Sequence, residues 1–67
     1  MPQGTVTRLF KQRGIGFITP DESDRDVFIA MDTIPEVVSS LMEGQRVVYD
    51  AIEAEGGVQA VSVSIAP

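Results

Sequence analysis

Two phenylalanines, Phe17 and Phe28, are the residues of this sequence best suited to hold a flat ligand. Each lies in a short run of β-forming residues, and the two runs flank an acidic loop. Successive side chains of a strand point to opposite faces of the sheet. Phe17 therefore points to the face away from Ile18, and Phe28 to the face away from Ile29. Because the isoleucines belong in a core, both phenylalanines are predicted to lie on the outer face. They are side by side there if the two strands pair.

An outward aromatic ring offers a stacking surface to the bases of single-stranded DNA or RNA, worth about 1–3 kcal/mol per base. Arg8, Lys11 and Arg13 lie close by in the sequence and could contact phosphates. The alternative is structural: the two phenylalanines pack under a loop or against a partner chain. The residue pattern alone supports the two interpretations equally.

Charge is distributed unevenly along the chain. The formal net charge is −5, yet three of the five cations and none of the ten acids lie in the first twenty residues. The whole molecule should repel polyanions at long range, whereas its first twenty residues could attract them locally. Net charge therefore does not decide the partner.

Two glycines, Gly14 and Gly16, interrupt the strand that carries Phe17. Next to a ligand, they would keep the surface low and let bases approach. The alternative is that a β-bulge or a tight bend requires them, with no ligand involved.

Five short strands are predicted, over residues 4–10, 13–19, 27–30, 46–52 and 58–65. A helical turn or two is expected over residues 36–42, after Pro35. Alternation predicts Val47 and Tyr49 on one face of the fourth strand. In the fifth, it groups Val61, Val63 and Ile65 opposite Ala60 and Ser62. Short strands separated by Gly and Pro turns indicate an all-β fold, and a small closed barrel would leave no exposed strand edges.

Composition narrows the function classes. The 67 residues suffice for one domain, predicted to span residues 1–67, and they include no cysteine and no histidine. Thiolate zinc sites and histidine bases are thereby excluded, so we expect neither an enzyme nor a cofactor. The acids at 21–26 lack the glycine and distal glutamate of an EF-hand loop, and we expect a solvated turn there. With no apolar run long enough to span a membrane, a cytoplasmic protein is the default expectation.

Four stretches of the sequence resemble the bacterial cold-shock protein family. They are Gly4-Thr-Val, RGIGFITPDESDRDVFI, LMEGQRVVYDAI and GVQAVSV, and they span nearly the whole chain. RGIGFI stands where the family carries its first RNA-binding motif, usually KGFGFI, and DVFIA stands where it carries the second, usually DVFVH. The resemblance implies a five-stranded antiparallel barrel of the oligonucleotide-binding (OB) type. It also implies binding of single-stranded RNA or DNA, as an RNA chaperone or a regulator of transcription or translation.

Several aromatic positions of the family are replaced in this chain. Arg8 stands for a usual tryptophan, Ile15 and Met31 for phenylalanines, and Ala30 for a histidine. The nucleic-acid-binding residues predicted from the pattern and the resemblance together are Arg8, Phe10, Lys11, Arg13, Ile15, Phe17, Asp26, Phe28, Ala30, Met31 and Gln59. Losing rings that each stack a base lowers affinity steeply, so the predicted binding is weak to moderate.

A second hypothesis belongs to a different functional class. In it the barrel has little affinity for nucleic acid and acts as a protein-interaction or self-association module. The acidic remainder of the chain and the replaced aromatics motivate it.

Overall fold

The computed structural model describes residues 2–34 and 41–67 of the chain. Five strands lie within them, at Gln3–Phe10 (β1), Ile15–Pro20 (β2), Val27–Ala30 (β3), Arg46–Ala54 (β4) and Gly57–Ile65 (β5). A single 3-10 turn, Met31–Thr33, follows β3. The predicted all-β class is confirmed, and the five strands match the predicted ones within a few residues. Of the helical turn expected over residues 36–42, residues 36–40 lie outside the described part of the chain, and residues 41–42 are not helical.

The strands close into a ring in the order β1-β2-β3-β5-β4, with β4 pairing back onto β1. Four of the junctions are antiparallel, and the fifth, between β3 and β5, is parallel. The prediction of an entirely antiparallel sheet is therefore wrong at one junction. The reason is arithmetic: directions that alternate around a ring of five strands must repeat once. The all-β ring remains consistent with an OB-type fold.

The interior of the ring is filled by the apolar side chains that the alternation assigned to it. Ile18, Val27 and Ile29 are buried, as predicted, and so are Val47 and Tyr49 of β4. The core also includes Val6, Ile34, Leu41, Ala60 and Val63. Every second residue of β2 and β3 points inward, which leaves the intervening side chains for the outer face.

Bulges in β1 and β5 shift the alternation by one residue. In β1, Val6 lies opposite Ile18 but Arg8 lies opposite Phe17, so Thr7 is an extra residue. In β5, Val61 is skipped between two partners of β4. The predicted grouping of Val61 with Val63 is therefore wrong: Val61 is exposed and Val63 is buried. A bulge places two successive residues against one partner, which reverses the inside–outside pattern beyond it.

One exposed ion pair lies where β4 pairs back onto β1. Arg46, at the start of β4, donates to both carboxylate oxygens of Asp21 over 2.6 Å, and also to Thr5 Oγ1 over 3.1 Å. These hydrogen bonds lower the pKa of Asp21 from its ordinary value and raise that of Arg46. The contact joins β4 to β1 and to the loop after β2.

Candidate nucleic-acid interface

A row of four side chains crosses the outer face from β1 to β5. Arg8 lies opposite Phe17, Phe17 opposite Phe28, and Phe28 opposite Gln59, each on the next strand of the ring. All four were predicted as site residues, and the register places them next to one another. The bulge at Thr7 is what brings Arg8 into this row, because without it Arg8 would not face Phe17.

The two phenylalanines at the centre of the row touch each other. Their ring centroids are 5.8 Å apart and their planes meet at 71°, an edge-to-face arrangement. Such a pair is favourable for aromatic rings and fixes both side chains. Both are half-buried. The prediction that Phe17 and Phe28 lie side by side on the outer face is confirmed, and the rings leave part of their surface open to a ligand.

A second row lies one pleat further along the same face. Phe10 is opposite Ile15, and Ile15 is opposite Ala30. Phe10 is 41% exposed and is the most accessible aromatic ring of the described residues. Ile15 and Ala30 continue this row across β2 and β3 as partly buried apolar side chains. The second row therefore adds apolar surface beside the row that contains Phe17 and Phe28.

The basic side chains of the predicted site lie at the edge of these rows. Lys11 and Arg13 belong to the turn of residues 11–14 between β1 and β2, and both are exposed. Arg13 was predicted to begin the second strand. Instead its backbone N–H donates to Phe10 O over 2.9 Å and closes the turn. Within residues 2–34 and 41–67, Arg46 is the one cation with an acidic partner, which leaves Arg8, Lys11 and Arg13 available to phosphate.

Asp26 lies at the opposite end of the face from that turn. Its Oδ1 accepts a hydrogen bond of 2.9 Å from Thr19 Oγ1, which fixes the carboxylate just before β3. Asp26 also lines a shallow pocket together with Phe17, Phe28 and Gln59. The pocket is completed by residues 54–58, which include the turn between β4 and β5 at residues 55–56.

Two residues near this pocket were missed by the sequence reasoning. Glu55 lines it from the β4–β5 turn, and Ile52 extends the first row because it lies opposite Gln59 and is 53% exposed. The signal for Ile52 was its isolated position among acidic and small residues of the fourth strand. Nothing in the local sequence marks Glu55, because its approach to the phenylalanines depends on which strands are neighbours in the ring.

Met31 differs from the other predicted site residues. It is only 5% exposed, so its side chain offers a ligand almost no surface in this structure. Its backbone N–H donates to Gly14 O over 2.8 Å, at the first residue of the 3-10 turn. The expectation that Met31 supplies apolar contact on the outer face therefore has no support from its position.

The two glycines of β2 and its turn have structural explanations. Gly16 points inward, and a Cβ built there would lie 2.9 Å from Leu9 Cδ2 and 3.1 Å from Arg8 O. Gly14 has a φ of +71°, a backbone conformation that residues other than glycine rarely adopt. The interpretation that Gly16 keeps the ligand-facing surface low is wrong, because its missing side chain makes room for β1 on the inner side.

A closed five-stranded all-β ring with an outward aromatic and basic face is typical of small OB-type domains that bind nucleic acid. Comparison with known sequences gives the family. A sequence model described as the 'Cold-shock' DNA-binding domain matches residues 2–66, so the chain belongs to the cold-shock domain family, which binds single-stranded nucleic acids.

Among curated relatives, the chain is 39% identical to a cold shock protein of Arthrobacter globiformis over 66 residues, covering 97% of this chain and 98% of that protein. It is 41% identical to cold shock protein CspA of Staphylococcus epidermidis over 64 residues, covering 94% and 96%. A cold shock-like protein of Aquifex aeolicus is 36% identical over 64 residues, covering 94% and 91%.

Two further features are absent from residues 2–34 and 41–67. No helix there is long and apolar enough to cross a membrane. No group of three or more acidic, histidine or cysteine side chains in that part of the chain is arranged to hold a metal ion.

Proposed function

We propose that this protein binds single-stranded RNA or DNA on the face formed by its two cross-strand rows, and that it acts as an RNA chaperone or a regulator of transcription or translation. The observation that carries the proposal is the continuous row Arg8–Phe17–Phe28–Gln59. It combines a cation, two aromatic surfaces and an amide in adjacent positions. Strands lie about 4.8 Å apart, so neighbouring side chains of the row could meet parts of one nucleotide or of successive ones.

Each part of the row has a different task. The exposed surfaces of Phe17 and Phe28 stack on bases, which is tolerant of sequence because every base has a π-face. Arg8 pairs with phosphate or stacks flat on a base. The Gln59 side chain can both donate and accept hydrogen bonds, which suits the edge of a base.

Affinity in this scheme is weak to moderate, with a shallow salt dependence. Three cations, Arg8, Lys11 and Arg13, lie beside the face, and the other two lie elsewhere on the molecule. For single strands the salt slope is about −0.7 per neutralised phosphate, so we expect a slope near −2.

An NMR titration tests the proposal directly. Heptathymidine and a matched RNA are added at low salt, and the amide shifts of residues 8–31 and 59 are followed. The Phe17→Ala and Phe28→Ala variants should each weaken binding on the order of tenfold, the loss of one stacked base. Ile65→Ala, an apolar truncation at an exposed position near the end of β5, serves as the matched control and should bind as the wild type does. Unchanged amides on the face at every concentration would refute the proposal.

The second candidate is a protein-interaction or self-association module. Exposed Ile52 and Val61, which lie on β4 and β5 away from the basic side chains, favour it. Sedimentation at rising concentration distinguishes the two: a monomer throughout that binds oligonucleotide excludes self-association.

A further inference from the structure

The proposed binding face is electrically divided between two corners. Arg8, Lys11 and Arg13 lie on β1 and the β1–β2 turn, and we call them the basic corner. Asp26 and Glu55 lie diagonally opposite, before β3 and in the β4–β5 turn, and we call them the acidic corner. Both acids are exposed, and both line the pocket that holds Phe17 and Phe28.

The two corners act on a bound strand independently. Along the proposed binding face, from β1 through β2 and β3 to β5, a bound strand crosses three strand spacings, which is about 14 Å. Salt screens exposed charges over about 8 Å at physiological ionic strength. Glu55 therefore weakens the attraction of a phosphate near Arg8 very little. In the same way, Arg8 offsets little of the repulsion that a phosphate near Glu55 experiences.

Bases and phosphates differ in how they meet the acidic corner. A base is neutral and can stack on the phenylalanine pair, and its amino or imino hydrogens can be donated to a carboxylate. A phosphate carries a negative charge and would have to lie beside two carboxylates. The hydrogen bond from Thr19 Oγ1 holds the Asp26 carboxylate in place, so that it cannot easily turn away.

We infer that Glu55, with Asp26, ends the nucleic-acid path on this protein, so that the pocket at Phe17 and Phe28 receives a base but no phosphate beyond it. The inference rests on the proposed function. Its consequence is a short binding site, near four nucleotides, at the lower end of the range for one OB-type fold. Glu55 is then a specificity-determining residue for the length of the bound strand.

A length series tests the inference. Unlabelled oligothymidylates of two to eight nucleotides are titrated into the wild type at low salt, and affinities are taken from amide shifts. Affinity should rise steeply up to about four nucleotides and then level off, apart from a small gain from the extra registers of a longer strand. A steep rise that continues to seven nucleotides would overturn the inference and leave the proposed function standing. Absence of binding at every length would overturn both.

A charge-reversed pair of variants identifies the residue responsible. Glu55→Lys should tighten heptathymidine on the order of tenfold, leave trithymidine within about twofold, and steepen the salt slope by about 0.7, as one new phosphate contact would. Glu22→Lys changes the net charge equally, but Glu22 is exposed in the β2–β3 loop and lines depressions with Pro2 and Pro20 instead of the phenylalanine pocket. It should alter both lengths alike and only slightly. Equal effects of the two variants on the difference between lengths would overturn the assignment to Glu55.

Discussion

The ten residues of β2 and β3 present two sides with different roles, an inner side in the core and an outer side on the proposed binding face. On the inner side, Ile18 and Ile29 are fully buried in the core, and Gly16 gives β1 room to approach. On the outer side, Phe17 and Phe28 are half-buried and contact each other. The comparison teaches that stability and binding are assigned to alternate residues, so substitutions can affect one and spare the other.

The largest effect is expected from the inner side. Ile29→Ala removes a fully buried side chain and should lower the free energy of unfolding by about 2–5 kcal/mol, through lost burial and the cavity left behind. Urea denaturation followed by circular dichroism measures it. Ile52→Ala makes the same chemical change at a side chain that is 53% exposed, and should cost no more than about 0.5 kcal/mol. Similar costs at the two positions would contradict the described core.

Gly16→Ala is the sharpest test of which side this glycine serves. The new Cβ would press on Leu9 Cδ2 at 2.9 Å, and the strain should cost about 1–3 kcal/mol of stability. Oligonucleotide affinity of the folded fraction should be unchanged. Because the closest contact is with the end of the Leu9 side chain, Leu9→Val in the same molecule should recover part of the loss, while the 3.1 Å approach to Arg8 O remains. A variant that kept its stability but lost binding would return Gly16 to the ligand side.

The phenylalanine pair lies on the outer side but should also make a smaller contribution to the free energy of unfolding. A double-mutant cycle of Phe17→Leu and Phe28→Leu, measured by urea denaturation without ligand, should give a coupling of about 0.5–1.5 kcal/mol for the edge-to-face contact. Zero coupling would mean that the outer pair contributes to binding alone.

The smallest effect is expected at the exposed ion pair, and it depends on pH. The hydrogen bonds from Arg46 lower the pKa of Asp21, so its stabilising contribution is complete above the ordinary aspartate pKa and is lost as pH falls through the lowered value. Asp21→Asn should therefore lower the urea midpoint slightly at pH 7, and the difference should shrink as the pH falls below the ordinary aspartate pKa and through the lowered one. Asp24→Asn, at an exposed acid of the same loop, is the control and should leave the urea midpoint nearly unchanged at pH 7. A difference that persisted at low pH would assign the effect to something other than the carboxylate's charge.

Alternation and turn residues were enough to predict the strands and the faces of β2 and β3. Ile18, Val27 and Ile29 are apolar at every second position, and Phe17 and Phe28 occupy the positions between them. That local pattern is the physical cause of the division into a core face and an outer face. It could therefore be predicted without knowing how the strands pair in the ring. The resemblance to the cold-shock family added Gln59, which no local pattern indicates, and the structure places it beside Phe28.

The features that could not be predicted depend on contacts between distant parts of the chain. The bulges at Thr7 and Val61 arise from the register of paired strands, and no turn residue marks either one. Glu55 approaches the phenylalanines because β5 lies next to β3, and Arg46 meets Asp21 across 25 positions of sequence. Met31 looks like a surface residue in a continued strand, but the chain leaves β3 in a 3-10 turn and the side chain is buried.

A closed ring with an odd number of strands must contain at least one parallel junction, because strand directions cannot alternate all the way round. In this protein it lies between β3 and β5 and is held by two residue pairs, Phe28 with Gln59 and Ile29 with Ala60. A strand of nucleic acid that contacts both Phe28 and Gln59 would bridge that seam from outside. Ligand occupancy and closure of the ring would then be linked equilibria, and saturating oligonucleotide should slow hydrogen exchange at the seam more than at the β4–β5 ladder.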